Sequence, residues 1–211
     1  MKSLRINGVS GVANTADWLV SEGADEEGDE SLQRRYVLEW QGQAGVTRAA
    51  YERAALSVTG VADVRVADQH PRGEGTVDVI VAGTAGLPTE ALLENVRAAL
   101  DAAIVTNHDL VVKAPVPVNV NVACTLELLS GDSAATKAAA EAWIPALFAG
   151  VGATFGIGVD VIRDRITSGL ITLPGVKRVL WATPENDLVI PYDGLAVLTS
   201  LSVTTTWAEA E

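Results

Sequence analysis

Residues 56–66 read L-S-V-T-G-V-A-D-V-R-V, and residues 171–181 read I-T-L-P-G-V-K-R-V-L-W. With Gly60 set on Gly175, Leu56 falls on Ile171, Ser57 on Thr172, Val58 on Leu173, Val61 on Val176 and Val64 on Val179. Each copy follows a helix-like run and leads into a strand-like run. Glycine suits the join, because it takes positive φ where a helix ends without a Cβ penalty. The apolar residues on either side tie helix and strand to one core. Gly60 and Gly175 are therefore predicted to be structural turn glycines at equivalent places. Two copies imply an α+β fold of two similar small α/β units with mixed sheets, each containing an x-G-V-x-x-V element.

Working outward, the elements predicted are helix, helix, strand, strand, helix, strand, helix, helix, strand, strand. Asp29 can cap a helix beginning near Glu30, and Leu32, Tyr36 and Trp40 recur every fourth residue on one face of it, the face expected to turn to the core. Gly42 and Gly45 stop that helix, and Thr47 caps the next. Strands follow near 61–68 and 76–82. In the second, Val77, Val79 and Val81 face one way and Thr76 and Asp78 the other, with Ile80 out of phase. A helix spans 89–104. Residues 116–128 alternate strictly, with Val116, Val118, Val120, Val122, Cys124, Leu126 and Leu128 on one face. Pro115 and Pro117 suit a strand start or an edge. A helix over 133–148 is kinked or ended by Pro145. The glycines at 150, 152, 156 and 158 read as a flexible connector. A short helix at 159–168, stopped by Gly169, precedes strands at 176–183 and 195–207, the last with Leu195, Val197, Leu201, Val203 and Trp207 on one side. A soft boundary near 112–117 divides the chain into a lead-in segment (1–22), a first unit (23–114) and a second (115–211).

The composition bounds the function. The 211 residues carry 27 acids against 15 bases, a net charge of −12. Binding phosphates requires a face of Lys and Arg, and no basic cluster is longer than Arg34-Arg35. Nucleic acid and anionic membrane surfaces are disfavoured as partners. The single cysteine, Cys124, leaves no internal disulfide, the N-terminus lacks a signal-peptide apolar region, and no run approaches the ~20 apolar residues of a membrane helix. The expectation is a soluble protein made in a cytoplasm.

No arrangement of residues announces chemistry. Cys124 lies on the apolar face of its strand, where burial raises a thiol pKa and makes it inert. His70 and His108 fall in loops without His or Cys partners at ligand spacing. Asp25, Glu26, Glu27, Asp29 and Glu30 miss the EF-hand register, since the twelfth position from Asp25 is Tyr36. They suit the positive end of a helix dipole, but the dipole alone does not account for so many acids. They are candidates for a subunit interface facing a basic neighbour. The glycines at 150–158 satisfy neither dinucleotide nor phosphate-loop spacing. No catalytic, cofactor or metal residues are assigned.

The ordered set G-A-D-E-E-G-D-E-S-L-Q-R-R-Y, T-R-A-A-Y-E-R-A-A-L, V-T-G-V-A-D-V-R-V and P-R-G-E-G-T-V-D-V-I-V resembles the baseplate J-like proteins of contractile-tailed phages and related injection machines. The strand V-K-A-P-V-P-V-N-V-N-V-A-C-T-L and the closing L-P-G-V-K-R-V-L-W-A-T-P-E-N-D continue the resemblance, which covers about residues 22–207. Family members carry a substantial domain before the acidic motif, where only residues 1–22 stand here, and Gly28 replaces a frequent serine. The resemblance implies a structural, non-enzymatic wedge component. It would join copies of itself and other wedge, hub and sheath-proximal proteins in a ring that rearranges on sheath contraction. It would sit in a virion tail or injection-system baseplate assembled in the bacterial cytoplasm. A stand-alone binding module and a hydrolase using Asp and His are the competing functions. The lack of convergent catalytic residues weighs against the second.

Overall fold

The computed structural model describes residues 29–42, 47–101 and 109–208. Among these lie five helices and six strands. The first half contains α1 (Asp29–Gly42), α2 (Arg48–Leu56), β1 (Val61–Ala67), β2 (Thr76–Gly83), α3 (Glu90–Asp101) and β3 (Asp109–Lys113). The second contains β4 (Val116–Leu128), α4 (Ser133–Ala146), α5 (Arg163–Ile171), β5 (Val176–Thr183) and β6 (Gly194–Trp207). The strands form two three-stranded mixed sheets, ordered β1-β2-β3 and β5-β4-β6. In each, the strand after the paired glycine is the antiparallel edge and the other edge is parallel to the centre. The chain order differs. In the first sheet the glycine strand leads directly to the centre strand. In the second the centre strand β4 comes first and β6 last.

Each sheet buries one face under helices. Tyr51, Ala55, Leu93, Val96 and Leu100 from α2 and α3 pack on Val64, Val66, Val77, Val79 and Val81. Ala140, Ile144, Ile166 and Leu170 from α4 and α5 pack on Val120, Val122, Cys124, Leu126 and Leu128. Thr47 caps α2 by accepting a hydrogen bond from the Ala50 amide, and Asp132 caps α4 at Ala134 and Ala135. Gly60 (φ 96) and Gly175 (φ 79) lie between α2 and β1 and between α5 and β5.

Several expectations are corrected. β3 was not foreseen; its run D-L-V-V-K is too short to show a period. α5 starts at Arg163 and not at 159, because Val161 bridges Leu188 and the Asp160 carboxylate accepts from the Ile190 amide, holding that stretch extended. Gly169 does not stop the helix. It lies within α5, where its lack of a Cβ makes room for the Trp143 ring. The glycine-rich connector is packed: Phe155 is buried against Phe148, with ring centroids 5.0 Å apart, and Ile157 is buried between the two halves. In α1, Leu32 and Tyr36 are 46% and 63% exposed and do not face the core. The helix instead sends Arg34 toward β1. Trp40's side chain and Ile104 lie outside what is described.

Candidate functional site

The two halves meet at a junction built from the face of β1 and β2 turned away from α2 and α3, the segment before α5 and the start of β6. Ile80 is the residue out of phase with the β2 alternation. It points away from the first core and, with Ala82, packs against Ile157, Leu195 and Val197. This apolar patch is small, and polar contacts surround it.

The central contact is a two-handed grip on one peptide. Asp63 Oδ2 accepts the Ile157 amide at 2.9 Å, and Arg65 Nη1 donates to the Ile157 carbonyl at 2.9 Å. Side chains of β1 thereby supply the two hydrogen bonds that a neighbouring strand would supply. The other oxygen, Asp63 Oδ1, accepts from Arg34 Nη1 at 2.8 Å and from the Val64 amide at 2.9 Å. Arg34 Nη2 also donates to the Val64 carbonyl. One carboxylate thus connects α1, β1 and the second half. Glycines permit the approach: a Cβ on Gly156 would lie 2.5 Å from Asp63 Oδ2, and one on Gly158 would collide with Arg65 and the Tyr192 carbonyl. The Gly158 amide donates to Gly194 O, tying the segment to the start of β6.

A second polar contact flanks the patch. Asp78, 2% exposed, is held by Arg72 Nε at 2.7 Å and Lys113 Nζ at 3.0 Å. Burial raises its pKa, but the Arg72 and Lys113 donors outweigh burial and leave it below the usual carboxylate value. Lys113 reaches Asp193 of the second half at 4.0 Å.

Beside the grip a cleft of about 400 Å³ is lined by Arg34, Arg48, Glu52, Asp63, Arg65 and the 152–159 segment. Its arginines are engaged: Arg48 pairs with Asp68 at 2.6 Å, Arg34 with Asp63, and Arg65 with carbonyls. Burial is the main influence on Glu52, and it raises that pKa despite Arg34 and Arg48 nearby. Among the described residues, the arrangement joins the two halves and brings no nucleophile, base and electrostatic donor to one point.

The residues singled out from the sequence are not gathered here. Cys124 is buried in the second core, where burial lifts its pKa to about 11. His70 lies in the exposed β1–β2 loop at φ 54. His108, Asp25, Glu26 and Glu27 fall outside the described residues, as does the Glu30 side chain, and Asp29 is exposed at the first residue of α1. No group of three metal-ligating side chains occurs among the described residues. The grip residues Asp63 and Arg65 were missed. Their signal was there: two opposite charges on alternate positions of a strand otherwise apolar, V-A-D-V-R-V.

The described residues thus form an α+β pair of three-stranded mixed sheets, joined by the Asp63–Ile157–Arg65 contacts and a small apolar patch. Two family models match in succession, the baseplate J-like central domain over residues 43–124 and the baseplate J-like protein C-terminal domain over residues 120–204. The chain belongs to the baseplate J-like family. It is 31% identical over 96 residues to the putative baseplate protein gp29 of Haemophilus phage HP1 (strain HP1c1), a match covering 44% of this chain and 24% of that protein. It is also similar in fold to a chain in the cryo-EM structure of the anti-feeding prophage baseplate, with a TM-score of 0.50 and 14% identity over 87% of this chain and 42% of that one.

Proposed function

We propose that this chain is a structural, non-enzymatic component of a contractile-tail or injection-system baseplate, a wedge subunit of the ring around the tail hub. The observation that carries this reading is the succession of the two baseplate J-like domain matches along the chain, at 43–124 and 120–204. The proposed units, 23–114 and 115–211, are linked by the Asp63–Ile157–Arg65 grip and a small apolar patch. Polar contacts of this kind release and re-form more readily than a large hydrophobic interface, which suits a subunit that rearranges on sheath contraction. Partners are other copies of the chain and neighbouring wedge, hub and sheath-proximal proteins. The acidic residues Asp25, Glu26, Glu27, Asp29 and Glu30 face a basic neighbour, next to the exposed Leu32, Tyr36 and Val37 of α1.

The test is co-expression with candidate tail proteins followed by size-exclusion chromatography and electron microscopy. A stable ring or wedge complex is expected. Reversing Asp25, Glu26 and Glu27 to lysine should leave the circular dichroism spectrum of the isolated chain unchanged and should weaken the complex most at low salt. Failure of the wild-type chain to enter any tail complex leaves a stand-alone binding module.

A further inference from the structure

We infer that α1 regulates the junction: Arg34 is a positioning residue that sets Asp63 on the Ile157 peptide, so that a contact drawing α1 off β1 loosens the second half. This rests on the proposed function only for what engages α1. Among the described residues, α1 packs on α2 and reaches β1 through the Arg34 fork. One arm, Nη1, donates to Asp63 Oδ1 at 2.8 Å, and the other, Nη2, donates to the Val64 carbonyl at 3.2 Å. The Val64 amide donates to the same Oδ1 at 2.9 Å. Two donors on one oxygen fix the plane of the carboxylate. That plane presents Oδ2 to the Ile157 amide, 2.9 Å away and 94 residues along the chain. A carboxylate accepts through both oxygens, and here each oxygen serves a different part of the molecule.

The carboxylate has a second cation in reach. Asp63 and Arg65 stand at alternate positions of β1, on the face turned away from the first core and about 7 Å apart along the strand. With Arg34 in place, the charge of Asp63 is matched from α1, and Arg65 is left to the Ile157 and Gly158 carbonyls. Arg34 also attracts Glu52 of α2, which repels Asp63. Withdrawing Arg34 leaves that repulsion unbalanced and turns Asp63 toward Arg65, and their pairing takes both side chains off the peptide. The element therefore has two arrangements, and the position of α1 selects between them. The selection is gentle, because the Arg34 side chain is 44% exposed and such an ion pair shifts an equilibrium by no more than about fivefold. A contact of that strength is one a neighbouring subunit can overcome.

The experiment follows amide hydrogen exchange in the isolated chain, resolved by residue. Arg34→Gln should speed exchange at the Ile157 amide about two- to fivefold. The Val161 amide, bonded to the Leu188 carbonyl within the second half, and the Thr84 amide, bonded to the Gly60 carbonyl within the first, should not change. Arg34→Lys keeps the charge without the fork and should fall between the wild type and Arg34→Gln. Val37→Pro breaks α1 about one turn beyond Arg34, leaves both ion-pair partners intact and should speed Ile157 by a similar factor. In Asp63→Ala, which already lacks the acceptor, Arg34→Gln should add nothing. An Ile157 amide that exchanges at the wild-type rate in Arg34→Gln overturns the inference. So does an acceleration that persists in the Asp63→Ala background, or one shared equally by Val161 and Thr84. All of these are read on the isolated chain, so the coupling is decided apart from whether the chain enters a tail complex.

Discussion

Replacing Gly156 with alanine tests whether the Asp63 grip couples the two halves. The Cβ would stand 2.5 Å from Asp63 Oδ2 and 3.3 Å from its Cγ, and no other atom lies within 4 Å. The backbone there is not left-handed, so the whole conflict is with one side chain. The carboxylate must swing away and give up the Ile157 amide, a part-buried donor. Leaving such a donor unpaired costs about 1–3 kcal/mol, against a gain of about 0.4–1 kcal/mol from the stiffer unfolded chain. Gly156→Ala should therefore destabilise by about 1–2 kcal/mol. Asp63→Ala loses the same amide bond and the Arg34 pair, for about 2–3 kcal/mol, because an exposed ion pair adds at most about 1 kcal/mol. In the Asp63→Ala background the conflict is gone, and Gly156→Ala should be neutral or slightly stabilising. The assay is urea unfolding of the four proteins at matched pH and salt. A coupling of about 1–2 kcal/mol is expected. Additivity within about 0.5 kcal/mol refutes the reasoning.

The paired glycines should respond unequally to alanine. Both have positive φ, which costs about 1 kcal/mol or more for a side chain. A Cβ at Gly60 meets only Leu92 Cδ1 at 3.5 Å, whereas at Gly175 it would run into the Ser130 carbonyl oxygen. Thermal unfolding should show Gly175→Ala as the more damaging by at least about 1 kcal/mol, and equal losses would contradict the geometry. Cys124 should resist thiol reagents in the native protein and react fast in denaturant, since burial keeps the thiol protonated up to about pH 11. Rapid native labelling would exclude that burial. Glu52→Gln should raise the urea midpoint at neutral pH. A carboxyl whose folded pKa is raised contributes stability at low pH and loses it as pH climbs through the folded value. The advantage should vanish in acid, where Glu52 is itself protonated, and a pH-independent difference would assign it to packing.

Much of the fold was legible because period and punctuation agreed. The predicted 176–183 strand is β5, and 116–128 is β4. The 195–207 strand shows why side-chain faces were harder. Its apolar residues Leu195, Val197, Leu201 and Val203 occupy odd positions, which implies one face. An irregularity between Val120↔Leu198 and Asn121↔Ser200 shifts the phase, so Leu195 and Val197 face the junction while Leu201 and Val203 face the second core. One extra residue in a strand leaves no compositional trace. α1 failed for a different cause. Leu32 and Tyr36 share a stripe, but a stripe names a buried face only when something covers it, and among the described residues both stay exposed. The junction was nearly invisible. Its central ligand is a backbone peptide, and backbone groups carry no letter in a sequence.

The altered strand order of the second sheet governs its appearance during synthesis. The first sheet is complete in sequence once Lys113 has emerged. β4 emerges next as a centre strand with neither neighbour available. Asn121 and Ser200, hydrogen-bonded across the β4–β6 ladder, are 79 residues apart. At translation speeds of roughly 5–20 residues per second, β4 waits several seconds for its last partner. During that interval both its edges are open to any stray strand. Pro115 stands just ahead of it, Pro117 interrupts its donors, and Asn119 and Asn121 make its outer face polar. These residues discourage premature pairing over the part of β4 where only β6 will finally bind.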